Sequence, residues 1–168
     1  ITGDDLALIS RTDTGVLSVV PPVAGTCDDP YIFDPLPATR SGSTSGGDQF
    51  LDTVNCASTR DLSGPERVYE FTLSSMGTLQ ATLTPSDPLD LYLLQTCDPY
   101  TCQGWADSSL TLSGLPAGTY LLVVDGPSAG SYDLSVTFTP GDSIRPRTVQ
   151  SLRADKTGGK VHLSWDPV

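Results

Sequence analysis

The 168-residue chain has one histidine and two lysines, and no apolar run approaches the roughly 20 residues that span a bilayer. Each scarcity closes off a class of function. A Ser-His-Asp site needs three groups in hydrogen-bond reach around a pocket. The only histidine, His162, has Ser164 merely as its i+2 neighbour and reads as an exposed strand residue. Glycoside hydrolysis needs two paired carboxylates. Residues 25–140 contain fourteen Asp and Glu, but nothing in their spacing singles out a pair. Against these acids the same stretch holds only Arg40, Arg60 and Arg67, and Lys156 and Lys160 lie near the C-terminus. A net charge of −11 repels phosphate backbones, which argues against nucleic-acid binding, and leaves many carboxylates free for Ca²⁺. No stretch of ten or more residues has helical periodicity. The expectation is a chain that is not an enzyme and has no membrane span. It starts at Ile1 with no basic and then apolar leader, which reads as a processed product or a fragment.

Cysteine is sparse but informative: Cys27, Cys56, Cys97 and Cys102. Zinc sites use closely spaced pairs of the C-x₂-C kind, often with histidine, and that spacing is missing. Disulfides are the reading, and they imply an oxidising compartment. Four cysteines allow three pairings. Cys97-Asp-Pro-Tyr-Thr-Cys102 has two turn formers and suits a local bridge, which leaves Cys27 to pair with Cys56.

What the chain has in quantity is glycine (16), proline (14), Ser and Thr, the composition of an all-β, turn-rich protein. The most regular stretch is 105–138, read as three short strands. Leu115-Pro-Ala-Gly118 and Asp125-Gly-Pro-Ser-Ala-Gly130 are the turns between them. Tyr132, Leu134, Val136 and Phe138 alternate with polar residues, the mark of a half-buried strand. Tyr120-Leu-Leu-Val-Val124 is apolar on both faces and so belongs inside a sheet covered on both sides.

Upstream, Leu6–Ile9 and Val16–Val20 are possible strands with Asp13-Thr-Gly15 as their turn, within an extended lead-in over 1–24. Tyr31-Ile-Phe33 and a stretch near Thr39 are weaker candidates, and Arg40–Gly47 is flexible in composition. Tyr69, Phe71 and Leu73 share one face, as do Leu79, Ala81 and Leu83, and Met76-Gly77 between them suggests a hairpin. Leu89–Leu94 is an apolar strand interrupted by Asp90. Five or six strong strands with turns every eight to twelve residues predict two packed antiparallel sheets, a jelly-roll-type β-sandwich. A linker over 141–147 leads to a second alternating pattern in 148–168. There Gly158-Gly159 is the hairpin turn and Val161, Leu163 and Trp165 share a face.

Residues 66–138 resemble the bacterial pre-peptidase C-terminal domain family. The likeness lies in Gly64-Pro-Glu-Arg-Val-Tyr-Glu-Phe-Thr-Leu73, Gly77-Thr-Leu-Gln-Ala-Thr-Leu83, Leu89-Asp-Leu-Tyr-Leu93, Leu115–Gly126 and Gly130-Ser-Tyr-Asp-Leu-Ser-Val136. Cys27-Asp-Asp-Pro matches the start of a cysteine-containing branch, so the likeness covers about 25–140. It implies a jelly-roll sandwich in secreted bacterial proteins, non-catalytic, in some members binding matrix protein, polysaccharide or Ca²⁺. Residues 148–168 resemble the first two strands of a fibronectin type III domain, in Val149-x-x-Leu152-x-Ala154 and Val161-x-Leu163-Ser-Trp-Asp-Pro167. For Ca²⁺ the family sets acidic residues of its lead segment against an Asp pair before the strand that begins here at Arg67. Asp28 and Asp29 match the first place, and at the second only Glu66 is acidic.

Two aromatic residues are candidates for ligand contact, Tyr100 and Trp105, since an aromatic on a rigid loop tip can stack on a sugar or anchor a protein. The competing reading of Trp105 is that it packs over the disulfide and closes one end of the sandwich. Asp90 either faces solvent beside Tyr92 or is buried and fixes a loop through backbone hydrogen bonds. Two functions follow from these features. One is an accessory or adhesion module of a secreted bacterial multidomain protein, binding an extracellular protein or polysaccharide. The other is a structural subunit whose terminal β segments complete neighbouring copies of itself.

Overall fold

A computed structural model describes residues 9–11, 17–19, 23–141 and 152–165. Among these residues regular structure is almost entirely β, with two single 3-10 turns. The strands are β1 (Ile9–Arg11), β2 (Leu17–Val19), β3 (Tyr31–Ile32), β4 (Ala38–Ser43), β5 (Arg67–Leu73), β6 (Gly77–Pro85) and β7 (Asp90–Leu94). They continue with β8 (Cys102–Ala106), β9 (Ser109–Leu115), β10 (Gly118–Asp125), β11 (Ser131–Pro140), β12 (Leu152–Thr157) and β13 (Lys160–Trp165). One sheet has the order β3-β5-β10-β7-β8 and the other β4-β11-β6-β9. From β4 to β11 the chain alternates between them, except that β7 and β8 are consecutive in one. That order is a jelly roll, two interlocked Greek keys, with β3 added in parallel to β5 at one edge.

The alternating side chains expected from sequence fill the space between the sheets. Tyr69, Phe71 and Leu73 of β5 and Tyr120, Leu122 and Val124 of β10 meet Leu79, Ala81 and Leu83 of β6 and Leu134 and Val136 of β11. Tyr69 and Tyr132 share a hydrogen bond at its centre. β10 is buried on both faces, as its unbroken apolar run requires. Its second face, with Leu121 and Val123, joins Val68, Tyr92 and Leu94 under a loop layer that contributes Leu51, Val54, Ala57 and Leu62. Each buried Val or Leu side chain of this layer contributes about 1.5–3 kcal/mol when withdrawn from water.

Several connections differ from the sequence expectation. β5 and β6 do not form a hairpin: β5 pairs with β10 and β6 pairs with β11 and β9. Residues 74–76 carry the chain from one sheet to the other. Facing sheets lie about 10 Å apart, and three linking residues reach that far. The turns at 116–117 and 126–130 are sheet crossings of the same kind. The stretch read as one strand from Trp105 is two, β8 and β9, in different sheets. Arg40 to Ser43, read as flexible, belongs to β4 and pairs with β11. Thr39 and Ser41 are exposed on this edge strand, so composition mimics a linker.

The disulfides also differ: Cys27 pairs with Cys97 and Cys56 with Cys102, at Cα separations of 5.7 and 5.8 Å. No bridge joins Cys97 to Cys102. Instead Asp98 caps the 3-10 turn Pro99–Thr101, which closes the β7–β8 connection by hydrogen bonds alone. That frees each cysteine for the layer above: Cys27 lies ahead of β3, and Cys56 is in the 3-10 turn Asn55–Ala57 of the loop layer. Two disulfides mark a protein of a non-cytoplasmic compartment.

β1 and β2 form a short antiparallel ladder. The strand expected over Leu6–Ile9 lies outside the described residues except at Ile9, as does most of the 141–147 linker. β12 and β13 pair around Gly158 and Gly159, both at positive φ (63° and 80°), as a tight type I′ hairpin requires.

Candidate functional site

The polar features of the sandwich body gather at two places. The first is one end of the five-stranded sheet, on the face under the loop layer. Asp125 closes β10 and pairs with Asp90, which opens β7. Arg67 pairs with Val124, so one step further the register sets Glu66 opposite Asp125. Alternation along each strand puts all three acids on the side of Val68, Val123 and Tyr92. The result is a row of buried carboxylates, Glu66 and Asp125 at 0% exposure and Asp90 at 6%.

The three are stabilised unequally. Arg60 grips Asp90 with both Nε and Nη2, at 2.9 and 2.6 Å, and Tyr92 donates its hydroxyl to the same carboxylate. Asp90 therefore does fix a loop, through Arg60 of the loop layer rather than through backbone amides. Arg60 also reaches Asp107 and lies over the Trp105 ring, 4.7 Å from its centroid. The Asp90 hydrogen bond chiefly holds the guanidinium in its charged form and raises its pKa. Glu66 Oε1 accepts the Phe50 amide, and Asp125 Oδ1 accepts the Gly126 amide. Glu66 Oε2 and Asp125 Oδ2 have no hydrogen-bond partner. Burial pushes the Asp125 carboxyl up to about 8, against the Gly126 amide and with help from the charges of Glu66, Asp52 and Asp90. Burial raises Glu66 as well, opposed by the amides of Phe50 and Leu51 and reinforced by Asp48 and Asp52. Backbone packs closely here: a Cβ on Gly64 would strike the Gly126 carbonyl, and one on Gly126 the Pro88 carbonyl.

The second place is the β7–β8 loop. Tyr100 is 80% exposed on its 3-10 turn. Cys97 and Cys102 flank the turn, and Asn55 donates to the Tyr100 carbonyl. The phenol thus projects from a backbone fastened on three sides. Trp105 is partly buried, stacked on Tyr92 with ring centroids 6.5 Å apart, and Arg60 also lies over its ring. Trp105→Ala is expected to lower stability by about 2 kcal/mol, and Tyr100→Ala to stay within about 0.5 kcal/mol. Denaturant titration of both variants decides it, and comparable losses would contradict this division of labour.

Asp28 and Asp29 are exposed, on a loop where the Asp29 amide donates to the Thr26 hydroxyl. No group of three His, Cys, Asp or Glu side chains converges to hold a metal among the described residues. The outer face of the four-stranded sheet carries cross-strand rows of hydroxyls, such as Thr39, Ser135, Thr82 and Ser109. A shallow groove of about 430 Å³ there has no aromatic lining. Sequence reasoning missed two residues. Asp125 was hidden in an Asp-Gly pair that looks like an ordinary turn. Arg60 carried a weak signal, being one of three cations among fourteen acids in its domain-sized stretch.

No protein-family model matches the chain, and no curated protein sequence matches it. Among solved structures it is similar to PliG of Aeromonas hydrophila, a periplasmic inhibitor of g-type lysozyme, with 13% identity over 61% of this chain and 85% of that one and a TM-score of 0.44. It is similar too to the pre-peptidase C-terminal domain of collagenase from Bacillus anthracis, with 20% identity over 61% and 90% and a TM-score of 0.44. The Yersinia pseudotuberculosis-derived mitogen aligns at 18% identity over 80% and 99%, with a TM-score of 0.35.

Proposed function

We propose that the chain is a non-catalytic accessory or adhesion module of a secreted bacterial multidomain protein, and that it binds a matrix protein or a polysaccharide through the loop around Tyr100. The observation that carries this reading is the exposed Tyr100 ring on a turn bounded by two disulfide cysteines. A rigid backbone lets an aromatic bind without the entropy cost of ordering its own loop. The motifs of 25–140 that resemble the pre-peptidase C-terminal family support the same class. In this reading 25–140 is the binding domain, and 148–168 opens a fibronectin type III-like neighbour. Assembly by strand exchange would require β1 and β2 to give up the ladder they form with each other.

Pull-down against insoluble polysaccharides and collagen tests the proposal. Retention is expected on at least one of them, with Tyr100→Ala weakening it about tenfold or more, the effect of losing one aromatic anchor. Retention on none, or Tyr100→Ala equal to wild type, would sink it.

A further inference from the structure

Two arginines of the sandwich lie over aromatic rings. Arg40 is 3.9 Å from the Tyr31 ring centroid, and Arg60 is 4.7 Å from that of Trp105 with its guanidinium on Asp90 and Asp107. An aromatic face attracts a guanidinium or ammonium, and a carboxylate beside it adds a charge-assisted hydrogen bond. At Tyr100 the same two groups face solvent. The ring is 80% exposed, and the exposed Asp98 carboxylate accepts the Tyr100 amide at 2.8 Å. The Cys27–Cys97 bridge, with Cα atoms 5.7 Å apart, brings the exposed Asp28 to this end, its Cα at most about 13 Å from that of Asp98. Five residues on from Tyr100, a shallow pocket of about 320 Å³ is lined by Trp105, Ala106, Asp107, Ser108 and Ser109. Five residues of chain span at most about 18 Å, so one extended peptide can touch both the ring and the pocket. The Asp107 side chain at the pocket is 70% exposed. All three arginines of 25–140 are engaged within the chain, for Arg67 donates to the carbonyls of Ala24, Ser43 and Ser45. The fourteen acids of that stretch therefore set the sign of its surface.

We propose that the Tyr100 turn and the Trp105 pocket dock a protein segment rich in arginine and lysine. One basic side chain stacks on Tyr100 beside Asp98, and a second enters the pocket at Asp107. This rests on the reading of Tyr100 as the binding residue, and it narrows the partner to a cationic protein. Arginine fits best, since its planar guanidinium stacks on a ring and forks onto a carboxylate. The acidic surface steers such a segment towards the domain and repels acidic partners.

The test is fluorescence anisotropy of a labelled, glycine-spaced arginine/lysine peptide with the disulfide-intact protein, beside a peptide in which glutamine replaces every basic residue. At about 0.15 M NaCl, exposed charges more than about 8 Å apart are largely screened, so short-range contacts dominate. The basic peptide should bind at least about tenfold more tightly than the glutamine peptide. Tyr100→Ala should weaken the basic peptide about fivefold or more, and Asp98→Asn/Asp107→Asn by a similar factor. Asn at position 98 keeps an acceptor to cap the turn. Asp87→Asn/Asp133→Asn removes as many charges from the far end of β7 and from the four-stranded sheet, and should weaken binding less than about twofold. No preference for the basic peptide would overturn the proposal. So would equal losses from the two double variants, which would reduce the attraction to overall charge. If collagen or a polysaccharide then still retains the protein through Tyr100, the binding role of Tyr100 stands and only the cationic partner falls.

Discussion

Proteolysis of the unreduced protein is expected to release a Cys27 peptide linked to Cys97 and a Cys56 peptide linked to Cys102. A Cys97–Cys102 link would refute the fold at that end. The bridges close loops of 70 and 46 residues. Chain-entropy arguments give each about 4 kcal/mol, a large share of the 5–15 kcal/mol that holds a domain folded. Replacing both members of either pair with alanine should lower the Tm by about 10–15 °C. The two losses should differ in kind. Without Cys56–Cys102 the loop layer loses its tie to β8, and Leu51, Val54, Ala57 and Leu62 can lift from the second face of β10. That variant should bind a hydrophobic dye below its Tm. Without Cys27–Cys97, the segment ahead of β3 is freed while the layer stays seated, and dye binding should remain low. Equal dye binding by the two variants would show that the layer is not held where the structure has it.

The disulfides also mark the boundary of what could be read without coordinates. Alternation in Tyr132–Phe138 and the apolar run Tyr120–Val124 are local properties, and they carried strand, face and burial correctly. Which sheet a strand joins is not local. Leu73 and Gly77 are separated by a link that fits a hairpin or a sheet crossing equally well, and only the packing of all the apolar faces together selects the crossing. Cysteine pairing fails for the same reason, because Cys97 and Cys102 are close in sequence while their partners come from the layer above. The acid row is harder still. Glu66, Asp90 and Asp125 are spread over sixty residues, and each sits at the end of a strand where a solvated carboxylate is the ordinary expectation. Only the register of β5, β10 and β7 lines them up under a loop layer whose existence no periodicity announces.

Arg60→Ala should cost about 3 kcal/mol. Removing one member of a buried ion pair strands the other, at about 3–5 kcal/mol. The low end applies because the Arg60 guanidinium is partly open to water while the Asp90 side chain is nearly closed off. Loss of the cation over Trp105 adds a few tenths to about 1 kcal/mol. The pair is bidentate and mostly covered, so added salt should change the loss little, unlike that of a surface ion pair. Asp90→Asn keeps the shape and the Tyr92 contact, leaves the guanidinium able to reach Asp107 and solvent, and should cost less than Arg60→Ala. In the double variant Arg60→Ala/Asp90→Asn no charge is stranded. It should therefore recover part of the Arg60→Ala loss, with a coupling of about 2 kcal/mol in a double-mutant cycle. Additive losses, or an Arg60→Ala cost within about 0.5 kcal/mol, would show that Arg60 is a surface residue in solution. The loop layer would then be held over β7 by its apolar side chains and the Cys56–Cys102 bridge alone.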